Sequence, residues 1–216
     1  MLFRSAGVPP VAEQDEWGNY AGEAEVKVTV SRFSAPDFVD MSGSAETFAR
    51  IVTAEGLMSG TLVGGESYFY PDRGVTRSEF TVMLMKAAGI EASAVSATVF
   101  ADDAEISVSA RPYVRMAHEM GLTDGWIKEG RQVFGGGEEI TLAEAAVMTA
   151  RLLGLDQNGA IEVSLSPGEA NWARRELAAL SRAGFYLSGS GTLDRAGAAE
   201  LLCGVMKIAE AGGMKK

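Results

Sequence analysis

Apolar residues recur at helical spacing in three stretches that share one opening. "GVTRSEFTVMLMKAAGI" runs from Gly74 to Ile90, "EITLAEAAVMTARLLGL" from Glu139 to Leu155, and "TLDRAGAAELLCGVMKI" from Thr192 to Ile208. Aligned on Arg77, Leu142 and Arg195, which lie 65 and 53 residues apart, they superimpose Phe80, Ala145 and Ala198, then Met83, Met148 and Leu201, then Ala87, Leu152 and Val205. That is the i, i+3, i+7 stripe of a helix with one buried face. Upstream of each lies a second helical segment closing on a glycine: "FARIVTAEGL", "YVRMAHEMGL" and "ELAALSRAGF". Gly56, Gly121 and Gly184 stand where a left-handed stop is expected. The unit is helix, glycine stop, polar loop, capped helix. One such hairpin buries too little apolar surface alone, so the copies are expected to share a core.

The openings predict caps. Thr76 and Glu79 form a capping box, as do Thr141 and Glu144; Asp194 keeps the cap without the glutamate. Capping does not account for an arginine in the first turn, where the helix dipole disfavours a cation. Arg77 and Arg195 therefore imply either an anion to bind or a structural carboxylate to pair, and spacing alone favours the pairing. Leu142 occupies the corresponding position of the second copy.

Ahead of the repeats, "DEWGNYAGEAEVKVTVS" (residues 15–31) alternates Ala24, Val26, Val28 and Val30 after a turn signal, the pattern of a half-buried strand. A lone strand is unstable in water. Residues 6–31 are accordingly expected to be the tail of a truncated β domain, joined by a linker at 32–37. The opening "MLFRS" (residues 1–5) reads as adapter-derived sequence from a GTG start, so that a signal peptide and further domains are expected upstream.

Composition narrows the function. The 216 residues carry a net charge of −10, which argues against broad attraction to nucleic acid or anionic membranes. No apolar run approaches the roughly 18 residues of a membrane span. The single cysteine, Cys203, excludes an internal disulfide and reads as a small buried side chain. His118 is the only histidine, which excludes a two-histidine metal site within the chain, and it reads as a packing or helix-surface residue. Asp102-Asp103 and Glu138-Glu139 read as solvated loops rather than paired catalytic carboxylates, and "GGGEE" at 135–139 lacks a phosphate-loop lysine. No enzyme activity, cofactor or metal is expected.

These motifs together resemble the S-layer homology domain, whose pattern is an aromatic-x-Asp start, a Trp-led helix, a Gly-rich turn, "F-x-P", and "I-T-R-A-E" opening a second helix. The first copy reads "FVD" at 38–40, "EGLMSG" at 55–60, "FYP" at 69–71 and "VTRSEF" at 75–80. The second reads "FAD" at 100–102, "MGLTDG" at 120–125, "VF" at 133–134 and "ITLAEA" at 140–145. The third offers "NWARREL" at 171–177, "AGF" at 183–185 and "LDRAGAAEL" at 193–201. Ser44 and Ser109 replace the family tryptophan, which survives only as Trp172. Repeats are thus assigned to 38–91, 97–156 and, in degenerate form, 161–211, with a frayed tail at 212–216. The N-terminal strand resembles the end of an immunoglobulin-like or cadherin-like module.

The resemblance implies a mainly α fold in which three tandem helical hairpins form a pseudo-threefold, three-pronged bundle, with a short N-terminal β segment. It implies an extracellular protein anchored non-covalently to the cell wall or S-layer through secondary cell-wall polysaccharide, possible targets including a pyruvylated polymer or peptidoglycan itself. Arg77 and Arg195 are then the expected glycan ligands, with Trp172, Ser59 and Gly60 beside them, and the groove built on Leu142 is expected to be inactive. The rival expectation is a structural or protein-interaction module without glycan affinity.

Overall fold

The fold is fixed by how its helices start and stop. In a computed structural model, residues 35–155, 171–185 and 191–212 are described; the strand expected at 15–31, the segment 1–34 and the tail beyond 212 lie outside them. Six α-helices occur among the described residues: α1 (Gly43–Ala54), α2 (Arg77–Ala87), α3 (Arg111–Glu119), α4 (Leu142–Leu152), α5 (Arg174–Arg182) and α6 (Arg195–Glu210). The protein is mainly helical, and no helix is long and apolar enough to cross a membrane.

Each helix of the first set stops as its glycine dictates. Gly56, at φ +69, turns the chain so that its N–H reaches the Thr53 carbonyl and the Leu57 N–H reaches Val52. This is the pair of bonds that satisfies the last carbonyls of a helix ending in a left-handed residue. The same two bonds form at Gly121–Leu122 and Gly184–Phe185. The second set starts as its caps dictate. Thr76 and Thr141 accept the backbone N–H of Glu79 and Glu144, whose carboxylates return to the cap N–H, and Asp194 accepts from Gly197 at 2.7 Å.

Between helices, the stretches read as polar loops hold two short antiparallel hairpins: β1 (Thr61–Val63) with β2 (Glu66–Tyr68), and β3 (Trp126–Lys128) with β4 (Arg131–Val133). They are pinned from below in the same manner. Phe38 packs on Phe69 and Phe100 on Phe134, with ring centroids 5.2 and 5.3 Å apart. Asp40 accepts the successive N–H groups of Phe69 and Tyr70, and Asp102 those of Phe134 and Gly135, at 2.7–2.8 Å.

The capped helices meet at their N-termini. Val75 donates its N–H to Leu193, Leu193 to Ile140, and Ile140 to Val75, at 2.8–3.0 Å. These three bonds close a ring, and all three side chains are buried. Around it, the first N–H of each capped helix finds a carbonyl of a neighbouring segment: Arg77 on Glu138, Leu142 on Gly191, Arg195 on Arg73. Donors that a helix start normally leaves orphaned are thereby satisfied inside the fold. Among the helices, α1 packs on α6, α6 on α2 and α2 on α3, and α4 packs on α5. One large apolar cluster runs through these contacts, and a smaller one (Phe100, Ile106, Ala110, Val114, Phe134) sits under the second hairpin.

Candidate functional site

The shared helix start places three first-turn side chains in corresponding positions, and their surroundings differ. Arg77 crosses from α2 to the corner after β4. Its Nη1 donates to the carbonyls of Phe134 and Gly135 at 3.3 and 2.8 Å, and its Nη2 meets Glu144 Oε1 at 2.8 Å. The guanidinium carbon lies 4.6 Å from the centre of the Trp126 ring, and Glu138 stands at 3.9 Å. The residue is only 5% exposed. Of the alternatives the sequence left for this arginine, the structure forms the pairing: Glu144, the capping glutamate of α4, is its carboxylate.

Arg195 makes the same reach from α6 to the corner after β2. Its Nε donates to the Phe69 carbonyl and its Nη2 to the Ser59 carbonyl, both at 2.7 Å, and its guanidinium covers the Phe69 ring at 4.5 Å. Three neighbours differ. Thr61 holds the strand position that Trp126 holds in the second hairpin, as the registers Thr61–Tyr68 and Trp126–Val133 show. Arg73 offers the backbone acceptor that Glu138 offers to Arg77. Glu79, the counterpart of Glu144, lies 3.9 Å from Arg73. Among the described residues no carboxylate comes within 4 Å of Arg195. Burial, and after it the Arg73 charge, lowers its pKa from the ordinary arginine value, with the Glu79 and Asp40 carboxylates opposing the shift; it stays cationic at neutral pH.

Local charge therefore differs between the two junctions. Arg77 faces the carboxylates of Glu138 and Glu144, whereas Arg195 stands beside Arg73 and feels the Glu79 and Asp40 carboxylates only from beyond ion-pair distance. A groove of about 500 Å³ opens at the second junction, lined by Arg195, Arg73 and Ser59, by Ser78, Glu79 and Val82 of α2, and by Glu105. Helix N–H groups do not line it as free donors, since Arg77 and Ser78 donate theirs to Glu138 and Gly136. An anion there would be held by side chains.

At the third junction Leu142 stands in the arginine position and Gly197 in the glutamate position, and both line a wider groove of about 1090 Å³ with Phe48, Phe185 and Leu201. Ion-pair donor and acceptor are missing together.

Of the remaining expected ligands, Ser59 is exposed and joins Arg195 through its carbonyl. Gly60 is a packing residue: a Cβ there would sit 2.4 Å from the Phe38 ring and 3.1 Å from the Tyr68 carbonyl. Trp172, 61% exposed on the short 3-10 turn Asn171–Ala173, lines neither groove. Arg77 and Arg195 occupy separate junctions. His118 packs edge-on to Phe100 and shares a 3.1 Å contact with the Thr123 carbonyl. No group of three His, Cys, Asp or Glu side chains gathers as a metal site among the described residues.

Tyr70 is a residue that sequence reasoning passed over. It adopts φ +56, in the left-handed region, where the second hairpin carries Gly135 at φ +62. A side chain in that conformation costs roughly 1–2 kcal/mol. The signal was available in "FYP" against "FGG", where a tyrosine and a glycine occupy one corner. No family model matches the chain, and no curated protein is significantly similar to it.

Proposed function

We propose that residues 38–211 are a triplet of S-layer homology repeats, folded as a pseudo-threefold three-pronged bundle. We propose further that they anchor an extracellular bacterial protein non-covalently to the cell wall by binding an anionic wall polysaccharide. The closed ring of backbone bonds at Val75, Ile140 and Leu193 supports the architecture. One observation carries the binding reading: Arg195 is a partly buried cation without a carboxylate partner among the described residues, at the edge of a groove that also contains Arg73. A planar carboxylate, such as that of a pyruvate ketal, suits the remaining donors of a guanidinium. Arg77 is closed by its own carboxylate, so the reading has one anion groove rather than two.

The chain's overall negative charge opposes long-range attraction to such a polymer, so affinity rests on contacts inside the groove. The test is titration of purified wall polysaccharide, with and without its acidic substituents, into the wild type, Arg195→Met and Arg73→Glu. Arg73 is 64% exposed at its side chain, so reversing its charge spares the core. Binding is expected at one site per chain, weakened at least tenfold by Arg195→Met and several-fold by Arg73→Glu. Wild-type affinity in both variants rejects the groove. Absence of binding by the wild type favours the second reading, a structural module, for which the burial of Arg77 among its own partners is the supporting observation.

A further inference from the structure

The strained corner of the first hairpin carries a ring that packing does not account for. Asp40 and Asp102 hold equivalent corners, and the second uses glycine at the position where the first uses Tyr70. Gly135 is required there, because a Cβ would lie 2.1 Å from the Trp126 indole. With Thr61 in the place of that indole, the first hairpin has room for a side chain.

One explanation is compensation: Tyr70 fills the volume that Trp126 fills and covers Arg195 as Trp126 covers Arg77. The contacts do not follow that pattern. Arg195 lies over Phe69, and Tyr70 is instead stacked on Tyr68, ring centroids 5.8 Å apart and planes 20° from parallel. Tyr70 remains 42% exposed. Tyr68 likewise departs from its counterpart, the buried Val133. The chain thus keeps an unfavourable backbone conformation for an aromatic ring that stays in water, and strain retained in this way points to function.

We propose that the Tyr68–Tyr70 pair is a sugar-stacking platform that receives the C–H face of a pyranose ring. The electron-rich face of an aromatic ring attracts the weakly positive C–H edge of such a sugar. Polar groups flank the rings as a sugar requires: Tyr68 Oη donates to Glu66 Oε2 at 3.1 Å, which fixes a carboxylate able to accept a sugar hydroxyl. Val63 and Thr61 share the face of the hairpin that carries Tyr68 and Glu66, by the pairs Val63–Glu66 and Thr61–Tyr68. The platform is one peptide unit from the anion groove, because the carbonyl gripped by Arg195 belongs to the Phe69–Tyr70 peptide. A polysaccharide whose acidic substituent sits at Arg195 places a neighbouring sugar on the tyrosines. This assignment rests on the polysaccharide-binding reading above and adds a second subsite to it.

The second hairpin supplies the test substitutions. Tyr70→Gly and Tyr68→Val copy residues that the same architecture already tolerates. Urea denaturation and calorimetric titration with wall polysaccharide are measured on the wild type, each variant and Arg195→Met. Tyr70→Gly is expected to keep or raise the urea midpoint while weakening binding about tenfold. Tyr68→Val is expected to weaken binding several-fold. Titration of the wild type is also expected to shift the ring resonances of both tyrosines. If Arg195→Met loses binding and both tyrosine variants keep it, the platform is refuted and the anion groove stands. If Tyr70→Gly lowers the midpoint and leaves affinity unchanged, the ring is a packing residue and the platform is refuted. If the wild type binds no polysaccharide, the anchoring reading fails and the platform falls with it.

Discussion

Replacing Arg77 by methionine separates a fold clasp from a glycan ligand. The Arg77 side chain is 7% exposed and that of its carboxylate partner Glu144 27%, so the pair is largely withdrawn from water. Removing one member of a buried pair costs about 3–5 kcal/mol, chiefly because the other charge is left uncompensated. Methionine keeps the aliphatic stem, and residual solvent at Glu144 moderates the loss, which places Arg77→Met near the lower end, about 3 kcal/mol. For a unit of this size that lowers Tm by roughly 6–12 °C. Glu144→Gln retains an acceptor for the Thr141 cap, so the double-mutant cycle isolates the ion pair, with an expected coupling of about 2 kcal/mol. Equilibrium urea denaturation of the four proteins gives the cycle directly. A coupling below about 0.5 kcal/mol, or a fully stable Arg77→Met that has lost polysaccharide affinity, refutes the clasp and returns Arg77 to the ligand set.

Two further outcomes follow from packing and burial. Gly60→Ala drives a Cβ against the Phe38 ring and is expected to destabilise the first hairpin by about 1–3 kcal/mol in urea denaturation, whereas Gly137→Ala, with nothing within 4 Å, is expected to be neutral. Burial, and next the Glu200 charge, push the Cys203 thiol up to about 11. The neutral thiol is the form the fold favours, so its stabilising contribution is complete below the ordinary thiol pKa and is lost as pH rises from about 9 to 11. At pH 8 about one thiol in a thousand is ionised, and labelling by a disulfide reagent is expected to be at least a hundredfold slower in the native protein than in urea.

The helices were legible because each is punctuated locally. A glycine that must turn left-handed and a threonine paired with a glutamate three residues on leave the same mark in sequence as in structure, and Gly56, Thr76 and Thr141 are examples. The hairpins were not legible. β1 is exposed at all three residues and β3 at two of three, so no burial alternates along them. What holds them, Asp40 on the Phe69 and Tyr70 N–H groups, spans 29 and 30 residues. The site was legible in part. An arginine against the helix dipole pointed to a partner, and the structure forms a carboxylate pair at Arg77 with Glu144 but, among the described residues, none within 4 Å of Arg195. Which arginine is closed and which is open depends on Trp126, Arg73 and Thr61, contributed by other segments and set apart only by the folded registers.

The junctions also explain why an arginine can be absent from one helix start while a glutamate is absent from another. Within a single copy these look like two unrelated losses: Leu142 in the second and Gly197 in the third. The carboxylate partner of Arg77, however, belongs to the next capped helix, as Glu144 of α4. Leu142 and Gly197 line the same groove, so the chain lacks both members of one pair and leaves no stranded buried carboxylate there. Leu142 still donates its N–H to Gly191, as Arg77 does to Glu138, so the backbone frame does not depend on the side chain. The second junction, with Arg195 and Glu79 both present, is the case in which the pair could form and does not. Arg73 stands 3.9 Å from Glu79, and among the described residues no carboxylate comes within 4 Å of Arg195. Arg195 is thus held against carbonyls beside a second cation, in a groove that Glu79 and Glu105 also line.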